Sequence, residues 1–272
     1  MTPHTLRAAA CALVASLVIA APRAAGFDHD YAQYAQLLRE YVRPPRVDYA
    51  ALKTGRLALD AVVAAFAGPS AIEEQAWTRE QRLAFWINAY NAFTLRAIVD
   101  HYPIRSAMLT LQPRNSIRQI DGVWTALTWQ AAGRTLTLDD IEHKILRPEF
   151  KEPRVHFAIN CASVGCPPLA AAPYRAATLD AQLDEAARRY LASPQGLRTE
   201  AGVLRVSQIL HWYGEDFVAR FAPDSPKAPD RIARAVRAVV ARFGPPAAAD
   251  LARKGAVRVT FLEYDWSLND AR

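Results

Sequence analysis

Two thiols, Cys161 and Cys166 in NCASVGCPP, are the most reactive side chains this sequence offers. A nucleophilic cysteine needs a base within hydrogen-bond reach and a third group to orient that base. Histidines stand at His143, beside Glu142 in DDIEHKIL, and at His156 in RVHFAIN; Asp265 in EYDW supplies an orienting carboxylate. Spacing restricts the pairings. On one straight strand His156 and Cys161 face opposite sides, roughly 16 Å from each other, so they can meet only across a turn. Cys166 is the better placed thiol: ASVG can fold back, and Pro167-Pro168 can begin a helical turn with Cys166 at its N-cap, where free N–H groups and the helix dipole favour a thiolate. This reading makes Cys166 the first nucleophile, Cys161 its neighbour, and His156 or His143 the base.

The same atoms admit two other readings. A disulfide between Cys161 and Cys166 closes a small loop whose worth lies in shaping the turn, since loop-closure gain is modest for so few residues. His143, His156, Cys161 and Cys166 also amount to two nitrogen and two sulfur ligands of the kind tetrahedral zinc accepts, but H-x12-H-x4-C-x4-C is no compact zinc motif, and no metal is assigned. No P-loop, GxGxxG, HExxH or GxSxG occurs, so nothing implies a cofactor. Trp124, Trp129, Trp212 and Trp266 either line a groove or pack a core.

Helices must position these groups. REQRLAFWINAYNAFTLRAIVDHYP, opened by a Thr78/Gln81 capping box and stopped by Pro103, carries apolar residues on every face and is expected to be a buried central helix. Asn88 and Asn91 lie three apart on it; each needs a fixed partner, either tying loop backbone to the helix or lining a site. DHDYAQYAQLLREYV and ALDAVVAAFAG read as helices before it. GVWTALTWQAAGRTLTL reads as a hairpin turning at Ala132-Gly133, and Thr137 caps a following helix. RVHFAIN has the look of a buried strand. TLDAQLDEAARRYLAS and QILHWYGEDFVARF are helical, the latter capped by Ser207, and VLRVS and VRVTFLEYDW are strands. Helices dominate and strands come late, which predicts an α+β fold, mainly helical, with a small, partly antiparallel sheet around the central helix.

Composition agrees with a globular chain: 272 residues, 51% apolar and 22% charged, excludes disorder, collagen-like and coiled-coil classes. MTPHTLR, the apolar AAACALVASLVIAA and the small-residue APRAAG predict a signal peptide cut after Gly26, leaving residues 27–272 as one globular domain in the periplasm or outside the cell. The apolar run falls short of the roughly 20 residues a membrane span needs, and Cys11 precedes it instead of ending it, unlike a lipidated cysteine. Cleavage removes Arg7 and Arg23 and no acid, lowering the formal charge from +6 to +4. The 28 arginines and 5 lysines are scattered, so no nucleic-acid footprint exists. Arg231, Arg234 and Arg237 form one helical stripe that reads as a solvated face or an anionic-surface contact.

Five segments in order, AFWINAYNAFTLRAI, LTLDDIEHKILR, HFAINCASVGCPPL, WYGEDF and EYDWSLN, resemble the bacterial branch of the family termed domain of unknown function 547, from about Trp77 to Asn269. The resemblance implies an exported or membrane-associated protein; plant relatives that join the domain to a coiled coil imply protein interaction. The positions it marks are Asn88, Asn91, Glu142, His143, His156, Cys161, Cys166, Trp212, Tyr213 and Asp265. A further resemblance, to papain-like and transglutaminase-like folds, implies a Cys, a His and an acid meeting across a helix and a sheet. One departure stands against it: those folds start their central helix with the thiol, whereas the buried helix here offers Asn88 and Asn91. The expected function is thiol-dependent hydrolysis or acyl transfer on an amide or peptide-like substrate, with Asn88, Asn91, Glu142, Trp212 and Tyr213 as binding residues. The alternatives are a disulfide-closed binding or scaffold module and a metal-binding protein.

Overall fold

The computed structural model describes residues 26–105, 112–224, 227–255 and 257–272; residues 1–25 of the expected signal peptide lie outside them. The fold is α+β and mainly helical, with sheets of only two or three strands. Its axis is the Arg79–His101 helix, which buries residues on every face, including Trp86, Ile87, Tyr90, Phe93 and Ile98. Both halves of the capping box form, Thr78 accepting from the Gln81 backbone and Gln81 from the Thr78 backbone. Helices Ala32–Tyr41 and Arg56–Ala67 and the hairpin Trp129–Ala131/Arg134–Leu136 pack around it. The hairpin turns through Ala132 and Gly133, both with positive φ (47° and 69°), the left-handed pair that a two-residue turn requires.

Asn88 and Asn91 settle as backbone clamps. Asn88 donates to the Tyr174 carbonyl (2.8 Å) and accepts from its N–H (2.9 Å); Asn91 donates to the Ala158 carbonyl (3.0 Å) and accepts from the Asn160 N–H (2.8 Å). Each amide thus captures a loop that would otherwise carry unpaired buried peptide groups.

RVHFAIN is not the strand its apolar run suggests. Pro153–Phe157 is a 3₁₀ turn, with Pro153 setting the backbone at its start and the Glu152 carboxylate accepting from the Arg154 N–H. The peptides after it bond to Asn91 instead of a neighbouring strand. The helix after Thr137 is also unusual, a wide π-helix over Asp140–Phe150, opened by reciprocal bonds between Thr137 and Asp140. QILHWYGEDFVARF breaks at Tyr213 into Ile209–Trp212 and Gly214–Phe221.

A second apolar cluster lies under the helices Leu179–Leu191 and Arg231–Phe243, and the three-stranded sheet belongs to it rather than to the central helix. Leu197–Glu200 runs antiparallel to Val203–Val206, which pairs in parallel with Val259–Phe261. The last strand is shorter than its sequence pattern because residues beyond it leave the sheet to pair with the cysteine loop: Gly165 donates to the Asp265 carbonyl, Val164 to that of Ser267, and Asn269 to that of Ala162. Arg231 and Arg234 sit outside, paired with Glu215 and Asp230. Among the described residues no helix is long and apolar enough to cross a membrane.

Replacing Asn91 with alanine strands two backbone groups that no water reaches. Chemical denaturation of N91A should show a loss of about 2–4 kcal/mol, against a change within about 0.5 kcal/mol for the exposed Gln130→Ala; equal, small effects at both positions would contradict the clamp.

Candidate active site

The cysteine loop is built from Asn160 outward. Its side chain donates to the Pro167 carbonyl (2.7 Å) and accepts from the Ala162 N–H (2.9 Å), so one amide ties both ends of the loop, while Ala162 takes a positive φ of 59°. Gly165 packs so tightly under the backbone of Asp265 that a Cβ there would lie 3.0 Å from its N and O atoms. The two sulfurs are thereby pressed together at 2.7 Å, as free thiols, with the Cys161 N–H donating to Sγ of Cys166 (2.9 Å). Sγ of Cys161 lies 3.2 Å from Oγ of Ser163 and 3.4 Å from the Tyr264 hydroxyl.

These contacts divide the pair unequally. The hydrogen bond from Cys166, opposed by burial and reinforced by Ser163 and Tyr264, brings the Cys161 thiol down to about 7. Burial, with the adjacent Cys161, pushes Cys166 up. Cys161 is also the more exposed of the two. This reverses the expected ranking, and the reason is local: residues 167–170 form no helix, so Cys166 caps nothing and its N–H goes to the Ser163 carbonyl.

No histidine hydrogen-bonds either sulfur among the described residues. The buried His156 directs Nε2 to Oδ2 of Asp216 (2.8 Å) and stacks on the Tyr213 ring, centroids 3.8 Å apart. Arg147 clamps the same carboxylate through Nε (2.7 Å) and Nη2 (3.1 Å). Burial alone raises an Asp216 carboxyl, but the bonds from His156 and Arg147 outweigh it and hold the group well below the usual carboxylate range. The other ring nitrogen, Nδ1, sits 4.0 Å from Oε1 of the buried Glu142, and neither atom has a hydrogen-bond partner. Oε2 of Glu142 accepts from Tyr90 (3.3 Å). Burial and the nearby charges of Glu142 and of both thiols push the Tyr90 and Tyr213 phenols up, so these two rings feel the carboxylate and the sulfurs alike.

Two expected participants lie elsewhere. Asp265 is exposed and spends its carboxylate on the Ser267 N–H (2.9 Å); its place as orienting acid is taken by Asp216, three residues after Tyr213 in the same WYGEDF segment. His143 faces outward on the π-helix, against Arg147 (3.0 Å) and Asp139 (3.8 Å). Among the described residues no three His, Cys, Asp or Glu side chains converge as a metal site needs, so the four-ligand set does not assemble. Trp212 is 47% exposed and joins Tyr264 and Trp266 in one aromatic cluster, with Arg118 over Trp266, leading from the surface to the hydroxyl beside Cys161. Asp216, Ser163, Asn160 and Tyr264 escaped the sequence reading; Asp216 carried a usable signal, an acid in the first turn of a helix directly after a marked aromatic pair.

Residues 74–191 match the sequence profile of the family described as "Protein of unknown function, DUF547". Over that segment this chain is similar to the DUF547 family. The DUF547 match contains Asn91, Glu142, His156 and both thiols, whereas Asp216 and Tyr264 come from the chain beyond it. No curated protein and no solved structure matches the chain.

The Asp216 clamp should be visible in acid. Because the folded carboxyl releases its proton more readily than the unfolded one, its contribution is complete above the unfolded value near 4 and is lost as pH falls below it. Urea denaturation of Asp216→Asn should show a deficit of about 1–3 kcal/mol at pH 7 that narrows at pH 3; a deficit independent of pH would contradict the ion pair.

Proposed function

We propose that this protein is an exported thiol enzyme in which Cys161 and Cys166 cycle between dithiol and disulfide, exchanging with cysteines of peptide-like substrates in the periplasm or outside the cell. The observation that carries this reading is the contact between two free sulfurs held by one loop, the less buried one acidified and the buried one protonated. An exchange pair needs that division of labour. The Cys161 thiolate attacks a substrate disulfide, forming a Cys161–substrate bond and releasing one substrate thiolate. The Cys166 thiol, losing its proton, then attacks Sγ of Cys161 and expels the second. The substrate is reduced and the protein leaves with a Cys161–Cys166 disulfide; run backward, the same steps oxidise a substrate dithiol. Export rests on the leader-like residues 1–26, and an oxidising compartment suits the chemistry.

A second reading keeps acyl transfer or hydrolysis on an amide. It is favoured by the His156–Asp216 pair with its unpartnered Nδ1, and it requires Cys161 to turn from Cys166 toward that nitrogen. The two readings separate on Cys166. Exchange is abolished by Cys166→Ser, whereas acyl transfer survives it.

Alkylation by iodoacetamide as a function of pH should give a midpoint of about 7 at Cys161. Tyr264→Phe should move that midpoint upward by about one unit, as expected for one lost hydrogen bond to a thiolate. Intact-mass measurement should find the pair losing two hydrogen atoms with oxidised glutathione and regaining them with reduced glutathione. A midpoint near that of an ordinary cysteine, or a mass that never changes, would remove the basis for an exchange pair.

A further inference from the structure

Cys166 is buried yet forms part of the wall of a hollow of about 300 Å³, at the small end of the range for small-molecule sites. Arg46, Pro168, Ser193, Gln195 and Asn269 share that wall, and Cys161 does not. Two of these groups are uncommitted. Arg46, exposed on the short hairpin Val42–Arg43/Arg46–Val47, has no carboxylate partner among the described residues, and the Gln195 amide, half-buried, makes no hydrogen bond among them. Ser193 and Asn269, by contrast, are bound to the Tyr190 carbonyl and to the Tyr49 hydroxyl. The hollow therefore offers one free cation and one free amide beside a sulfur.

We propose that this hollow is a second entrance to the sulfur pair, through which a small thiol bearing a carboxylate reaches Sγ of Cys166, while peptide-like substrates meet Cys161 on the Trp212 and Tyr264 side. The inference rests on the exchange reading above and adds where the pair is reset. An attacking thiolate must approach a disulfide in line with the S–S bond, from the far side of the sulfur it strikes. A hollow touching Cys166 and not Cys161 supplies that approach. Attack forms a bond from the small thiol to Cys166 and breaks the S–S bond, and the electron pair leaves on Cys161. That thiolate departs into the contacts with Ser163 and Tyr264 that already favour it. A second small thiol then attacks the mixed disulfide, giving the small-molecule disulfide and the Cys166 thiolate, which takes up a proton. In sum, two small thiols are oxidised and the protein disulfide is reduced.

The test uses the full chain, oxidised beforehand, and three reductants compared at equal thiolate concentration: glutathione, neutral 2-mercaptoethanol and cationic cysteamine. Glutathione should react faster than cysteamine, and Arg46→Glu should cut the glutathione rate by about fivefold, a surface-charge effect, while leaving 2-mercaptoethanol unchanged. Gln195→Trp, which fills the hollow, should slow all three. Quenching early with acid, alkylating and mapping peptides should place glutathione on Cys166 and the alkyl group on Cys161. Glutathione found on Cys161, or rates indifferent to both substitutions, would overturn the second entrance while leaving the exchange pair intact. A protein that never loses two hydrogen atoms to an added disulfide oxidant would overturn the exchange reading itself, and the entrance with it.

Discussion

A buried amide on a buried helix sets the geometry of everything reactive here. Asn91 occupies a position where an apolar residue would fill space as well, yet it spends its side chain on the backbone at Ala158 and Asn160. That anchors the chain one residue before the first thiol. Asn160 then repeats the device, one turn outward, and ties Ala162 to Pro167. Two amides in series transmit the rigidity of a 23-residue helix to a loop that has no regular structure of its own. A loop held only by its own turns would let the sulfurs drift apart; a loop held at both ends by a core helix cannot.

The polar interior is divided into two chemically different halves. One holds sulfur and hydroxyl groups, the other an imidazole between two carboxylates with an arginine behind them. Tyr90 and Tyr213 respond to both. The second half is the more expensive to bury, since His156 and Glu142 each keep an unpartnered polar atom at 4.0 Å separation. Other buried atoms also lack partners, among them the Tyr34 hydroxyl and Oγ1 of Thr94, but here an unpartnered ring nitrogen faces an unpartnered carboxylate oxygen.

Much of the scaffold was legible because helical signals are local. Thr78 and Gln81, the all-round apolar surface of residues 79–101, Thr137 and the Ala132-Gly133 turn each act within a few residues, and each formed. RVHFAIN misled because periodicity reports burial without saying what satisfies the backbone; here the partner is Asn91, 67 positions away in the case of Ala158. The site was legible as a set of residues and less so as an arrangement. Both thiols, His156 and Glu142 lie where chemistry is concentrated. The pairing of His156 with Asp216 rather than Asp265 depends on a contact between segments that no short window contains, whereas the acidity of Cys161 rather than Cys166 turns on how one short loop folds on itself, with Tyr264 alone reaching it from far along the chain.

The strip from Tyr264 to Asn269 that sews itself along the cysteine loop also imposes a schedule. Its hydroxyl beside Cys161 comes from 103 positions downstream. Until that stretch has been synthesised and docked, the two sulfurs hang on a nascent chain as ordinary thiols. The acidity of Cys161 is therefore a property of the finished molecule, and until then the chain is as inert or as vulnerable as any other cysteine-bearing polypeptide.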